Sequence, residues 1–102
     1  MPSEAIFAKL VEGAARIASG LVDPEEFFYP LAPRIAVIAS RNVGVRLRPI
    51  RGEVYYCVIC NKGPFTRKGY YLHLIRVHSS VIRQLIEDEI KRLGESYRGH
   101  LE

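Results

Sequence analysis

The positions of the two cysteines and of two histidines constrain this chain more than any other feature. Cys57-Val58-Ile59-Cys60 is followed by twelve residues and then by His73-Leu74-Ile75-Arg76-Val77-His78. The pattern is C-x2-C-x12-H-x4-H, spans 22 residues and uses both cysteines of the chain. Two thiols separated by two residues fit a tight knuckle whose backbone amides can support thiolate charge. Two imidazoles five positions apart lie a little over one helical turn from each other. Together they offer the four soft or borderline donors of tetrahedral zinc. Cys57, Cys60, His73 and His78 are therefore the candidate ligands of one Zn2+. Four protein ligands close the coordination sphere, so the expected role is structural. A Cys57–Cys60 disulfide is the competing use, and an intracellular chain argues against it. A redox C-x-x-C belongs at a helix start within a βαβ unit, which the pattern of this chain does not contain.

Charge is distributed as unevenly as the ligands. The overall balance of the 102 residues is +4. Residues 34–78 hold nine Lys and Arg against Glu53 alone, while residues 1–33 and 79–102 are net acidic. A basic centre of this kind is the footprint of a polyanion-facing surface. No apolar run is long enough to span a bilayer, and Met-Pro-Ser-Glu-Ala does not open a secretory leader. The expected setting is intracellular, cytoplasm or nucleoid, with no membrane partner and no small-molecule substrate. Only Asn42, Asn61 and Gln84 carry amide side chains, and Arg outnumbers Lys eleven to four. Both lean toward a thermophile.

Periodicity divides the chain into an N-terminal helical segment (1–44), a metal-binding centre (45–80) and a C-terminal helix and tail (81–102). Residues 3–19 read as an amphipathic helix capped by Ser3 and ended by Gly20. Asp23-Pro24-Glu25-Glu26 is a second, short start signal. Residues 34–40 fit either a short buried strand or a helix opened by Pro33; the spacing of Leu31, Ile35, Ile38 and Ala39 favours the helix, ended near 42–44. Val45-Arg46-Leu47-Arg48 alternates apolar and basic, which predicts a strand, with residues 54–58 as its partner after a turn at 51–53. From Thr66 a helical pattern runs to about Leu93, with Gly94 as its stop. Ile82, Leu85, Ile86, Ile90 and Leu93 share one face of that helix. The N-terminal helix can cover this face within the chain, or a second copy can cover it in a homodimer.

Residues 55–78 resemble a C2H2 zinc finger. Tyr55, two before Cys57, matches the aromatic position of that family. Pro64 stands where the family has Phe, with Phe65 one place late, and Tyr70 stands where it has Leu. No second finger follows His78. The resemblance implies a ββα module. The expected fold is thus mainly α with a small β-hairpin: one ββα finger between an N-terminal helical segment and a long C-terminal helix.

In DNA-reading fingers three positions reach base edges. Here the resemblance places Thr66, Gly69 and Leu72 there, a poor set for reading sequence. Phosphate contacts remain, from Arg46, Arg48, Arg51, Lys62, Arg67, Lys68 and Arg76, with Tyr71 available to stack on bases. The expected function is non-catalytic, zinc-dependent nucleic-acid binding, first as a small DNA-binding transcription regulator. The alternatives are a structured-RNA or ribosome-associated protein, and a protein–protein interaction adaptor. No paired carboxylates, nucleophile–base pair or phosphate loop suggests an enzyme.

Overall fold

A computed structural model describes residues 1–49 and 54–101, with side chains through Glu95. Three helices make the fold: α1 (Glu4–Ala18), α2 (Arg34–Arg46) and α3 (Arg67–Leu101), with a single 3-10 turn at Pro24–Glu26. All three helices pack on one another. One continuous cluster of buried side chains joins Phe7, Leu10 and Ala14 of α1, Val37 and Val43 of α2, and Tyr70, Leu74, Ile82 and Ile86 of α3.

α1 follows its sequence signals closely. The Ser3 hydroxyl accepts from the Ile6 amide, and Glu4 sits in the first turn. Gly20 adopts φ +76°, the left-handed conformation that costs glycine little. The Gly20 amide then donates to the Ile17 carbonyl and the Leu21 amide to the Arg16 carbonyl. These two bonds close the helix end in a Schellman motif.

α2 crosses α1 at small residues. A Cβ on Gly44 would lie 2.7 Å from Ile17 Cβ and 2.9 Å from the Ala14 carbonyl oxygen. The buried Ser40 hydroxyl donates to the Leu10 carbonyl at 2.6 Å. Nothing larger fits between the two backbones at this depth.

The expected β-hairpin and ββα finger are not formed; among the described residues the protein is all-α. Val45 and Arg46 complete α2, and Leu47 is its C-cap. The alternation at 45–48 coincides with a helical stripe: Ala36, Ser40, Val43 and Leu47 are all buried on one face. Burial of Leu47 on that stripe outweighs the local strand pattern. The only strand-like pairing among the described residues is an isolated antiparallel bridge between Tyr55 and Phe65. The chain turns at residues 58–60, and Pro64 has no amide to extend the bridge. The turn expected at 51–53 lies outside the described residues.

α3 also differs from expectation. It continues past Gly94, which lacks the left-handed φ that Gly20 uses to end a helix. Its one departure from helical geometry is at His78 (φ −119°, ψ 16°), one residue before the Ser79-Ser80 pair. Beyond that break Ile82 and Ile86 are fully buried within the chain.

Polar ties fix how the helices sit. Glu89 is buried, with its side chain only 5% exposed. It accepts from Asn42 of α2 at 2.8 Å and from Arg92 through both oxygens at 2.8 Å. Arg46 lies 3.6 Å away. The Arg92 guanidinium is the main reason that the Glu89 carboxyl is held down at about 2, from an ordinary 4.5. Arg83 of α3 pairs with Glu4 of α1 and lies 4.5 Å above the Phe7 ring.

Two expectations follow. Gly44→Val should destabilise the protein by about 2–3 kcal/mol through overpacking. Gly94→Ala, where a Cβ meets nothing within 4 Å, should stabilise it by up to about 1 kcal/mol. Urea unfolding of both variants reads the contrast. The second concerns acid. A carboxyl depressed on folding stabilises the protein above its unfolded pKa, and that contribution is lost as pH falls from about 4.5 toward 2. Wild type should therefore lose about 2–3 kcal/mol more than Glu89→Gln between pH 6 and pH 2.5. Parallel pH dependences of the two proteins would contradict this.

Candidate metal centre

Cys57, Cys60, His73 and His78 converge, their donor atoms all within 4.8 Å of one another. They lie close enough to hold one metal ion. The cysteines come from the chain before α3 and the histidines from α3 itself.

The cysteine loop is shaped by its backbone. The Cys57 amide donates to the Lys62 carbonyl, and the Asn61 amide donates back to the Cys57 carbonyl, both at 2.8 Å. Asn61 takes a left-handed φ of 64°, which asparagine tolerates better than most residues. Tyr55 and Phe65 exchange backbone hydrogen bonds at the loop base. Tyr55 and Cys57 point inward, while Val54, Tyr56 and Val58 alternate outward and are exposed.

On α3 the two histidines need more than a regular helix. Five residues at about 100° each place side chains roughly 140° apart around the axis. The non-helical φ of −119° lies at His78 itself and turns its side chain relative to the preceding turn. Its ring then meets the His73 ring edge-on, with centroids 4.9 Å apart. Cys60 Sγ and His73 Nε2 face each other at 3.3 Å.

The chemistry of the four groups fits a cation. His78 Nε2 is buried and has no hydrogen-bond partner. An unpartnered buried nitrogen is costly unless something else satisfies it. Burial pushes the Cys57 thiol up, against the pull of the Cys60 and Ile59 backbone amides. A cation supplies what that thiol lacks to ionise. Burial is also the main reason that His73 is pushed down, helped by His78 and Lys62. The neutral imidazole so favoured is the metal-binding form. Tetrahedral edges for zinc with thiolate and imidazole ligands are about 3.3–3.8 Å, so the observed spread closes with small side-chain movements.

Aromatic rings support the site from below. Phe65 stacks on His73 with centroids 4.6 Å apart. Tyr70 is fully buried, between Tyr55 at 5.5 Å and Phe65 at 6.3 Å. Its hydroxyl donates to the Leu47 carbonyl at 2.7 Å, tying the metal loop to the end of α2. Burial pushes this phenol up to about 12. A leucine at this position cannot make that tie. Sequence placed Tyr70 in the small core but gave no sign of its partner 23 residues earlier.

The other candidate residues do not form one surface. Arg46 faces Glu89. Arg48 donates to the Ile17 carbonyl at 2.9 Å, at the C-terminal end of α1. They do not share a strand face, because no strand forms there. The Arg67 guanidinium lies beside Gly20 at the same helix end, where a cation is favoured by the helix dipole. Tyr71 is half-buried against α1, with Arg16 over its ring at 5.2 Å. Lys62, Lys68 and Arg76 are exposed and form no ion pair among the described residues. Arg51 lies outside the described residues. Sequence reading missed Arg41, which donates to the Phe27 carbonyl at 3.1 Å and pins the loop before α2.

No helix among the described residues is long and apolar enough to cross a membrane. Comparison with family models, with curated proteins and with solved structures finds no match to this chain.

Metal analysis of the purified protein should give one ion per chain. A strong chelator, or Cys57→Ser, should lower Tm by about 10 °C or more, because ligand-binding energy is folding energy here. A metal-free protein with an unchanged melting curve would contradict the site.

Proposed function

We propose that this chain is a zinc-stabilised nucleic-acid-binding protein that grips its target by phosphates. The form ranked first is a small DNA-binding transcription regulator. Zinc is the assigned metal because two thiolates and two imidazoles are its customary structural set. The metal would hold the 54–66 loop against α3, and four protein ligands leave no position for a substrate.

One observation carries the reading. The stretch 54–86 that wraps the metal centre contains no Asp or Glu. Lys62, Lys68 and Arg76 project from it, exposed and without acidic partners among the described residues. Lys68 and Arg76 lie eight positions apart on α3, about 80° apart around the axis, so they can address one polyanion. Of the acids that follow on α3, Glu87 pairs with Arg83 and Glu89 with Arg92 and Arg46, while Asp88 accepts a hydrogen bond from Gln84. Among the described residues no acid pairs with Lys62, Lys68 or Arg76.

Base reading has little to work with. The Thr66 hydroxyl accepts from the Gly69 amide at 3.0 Å as the cap of α3. Gly69 has no side chain, and Leu72 is half-buried. Binding through phosphates with weak sequence preference is the consequence. Structured RNA is the second reading, favoured by Tyr56, which is 52% exposed near the Lys62 loop and free to stack on an unpaired base.

Fluorescence anisotropy of the metal-loaded protein with duplex DNA, single strands and RNA hairpins tests this. Affinity should fall steeply with salt. Lys62→Ala/Lys68→Ala/Arg76→Ala should reduce the log–log salt slope by about 2–3. Duplexes of different sequence should bind within about tenfold of each other. If no probe binds at about 50 mM salt, the protein-interaction adaptor replaces the nucleic-acid reading.

A further inference from the structure

Cys57 and Cys60 are the two cysteines of the chain, and the fold sets them side by side as free thiols. Their sulfurs lie within 4.8 Å of each other. The Asn61 amide donates to the Cys57 carbonyl at 2.8 Å, so a single helical turn carries the chain from one thiol to the other. Residues three apart on such a turn have Cα atoms about 5 Å apart. A disulfide spans about 4.4–6.8 Å between Cα atoms, so bonding the two sulfurs needs side-chain rotation and no backbone travel.

The two thiols are not equivalent. Cys57 is fully buried, whereas Cys60 is half-exposed. An oxidant arriving from solvent therefore meets Cys60 first, with Cys57 directly behind it as the resolving thiol. The loop that carries them has few ties of its own, chiefly the Tyr55–Phe65 bridge and the Cys57–Lys62 hydrogen bond. The helices do not share that dependence. Phe7, Leu10, Val43, Ile82 and Ile86 pack on one another in the bundle core. The Asn42–Glu89 and Arg83–Glu4 contacts join helix to helix without the loop.

We propose that Cys57 and Cys60 are a reversible oxidation site for peroxide, and that their disulfide opens the metal centre while the three-helix bundle stays folded. The Cys60 thiolate attacks one oxygen of hydrogen peroxide. The O–O bond breaks, Cys60 becomes a sulfenic acid and the other oxygen leaves as hydroxide. The Cys57 thiolate then attacks the Cys60 sulfur, so that an S–S bond forms, the S–O bond breaks and a second hydroxide leaves. The two sulfurs lose two electrons, peroxide gains them, and both hydroxides take protons from solvent to become water. Excess thiol reverses the reaction by exchange. After oxidation two imidazoles remain, half of the donor set that closes a structural site. Lys62, two positions after Cys60, moves with the loop, while Lys68 and Arg76 stay on α3. On the phosphate-binding reading, on which this last consequence rests, oxidation weakens the grip on nucleic acid.

The test exposes the full metal-loaded chain to about 0.1–1 mM hydrogen peroxide and reads mass, released metal and circular dichroism together. The expected product is a single chain lighter by two hydrogens, with one ion freed per disulfide and the helical signal retained. Dithiothreitol with added zinc should restore the starting mass and metal content. Before oxidation, substoichiometric N-ethylmaleimide should label Cys60 over Cys57 by about fivefold or more. Retained metal, a sulfinic acid at Cys60 in place of the disulfide, a disulfide between two chains, or loss of the helical signal overturns the proposal. Preferential labelling of Cys57 overturns the order of attack. Duplex DNA should bind the oxidised protein about three- to tenfold more weakly at low salt. If the reduced, metal-loaded protein binds no nucleic acid, the phosphate-binding reading fails and the oxidation site stands on mass and metal release. If reduced and oxidised proteins bind equally, the coupling through Lys62 is overturned.

Discussion

Closure of the 54–66 loop onto the first turns of α3 is the constraint on which the rest of this structure depends. That loop has almost no regular structure of its own: a Tyr55–Phe65 bridge and a Cys57–Lys62 hydrogen bond are its chief backbone ties. Such a segment does not hold two thiols in place unaided. What fixes it is a set of directional demands: the cysteine and histidine donors converging on one point, Phe65 on His73, and the Tyr70 hydroxyl on the Leu47 carbonyl. The break at His78 is part of the same closure. It brings the second imidazole to the cluster and at the same point redirects α3 along α1 and α2.

The helices on either side are held by a different kind of contact. α1 and α2 approach through Ala14, Ser40 and Gly44, where backbone meets side chain without space for a methyl group. Such close crossings leave little void, and their specificity comes from shape. Polar ties then fix the register of α3. Glu89 reaches α2 through Asn42 and Arg46, and Arg83 reaches α1 through Glu4. Acid–base pairing is thus concentrated on the helical bundle. Near the candidate metal centre Lys62, Lys68 and Arg76 form no ion pair among the described residues, and this separation is what gives the molecule two unlike ends.

Much of this was legible in the residues. Ser3, Gly20, Pro24 and Pro33 mark local events, because caps, left-handed turns and helix starts depend on a few neighbouring dihedrals. The four clustered residues were legible because metal coordination by thiol and imidazole demands specific spacing. The C2H2-like spacing named four residues that the fold does bring together, but the architecture that the resemblance implied is not formed. Ligand spacing constrains where donors can meet, but it does not dictate how the intervening chain pairs. Val45-Arg46-Leu47-Arg48 alternates like a strand, yet Leu47 is buried on a helical stripe that only packing against α1 and α3 makes worth extending. Gly94 resembles a stop signal, but a glycine ends a helix only where its left-handed conformation is used.

By itself, then, the sequence determined the candidate metal cluster, the start of each N-terminal element and the unequal distribution of charge. Each follows from local chemistry or from simple counting along the chain. Tertiary structure alone decided which cations remain available. Arg46, Arg48 and Arg67 look equivalent to Lys62, Lys68 and Arg76 in a list of charges. Packing assigned the first two to Glu89 and the Ile17 carbonyl and set Arg67 at the end of α1, while the others were left facing solvent. The physical reason is that a charge acquires its role from whichever acceptor the fold brings within a few ångströms, and those acceptors lie tens of residues away in sequence.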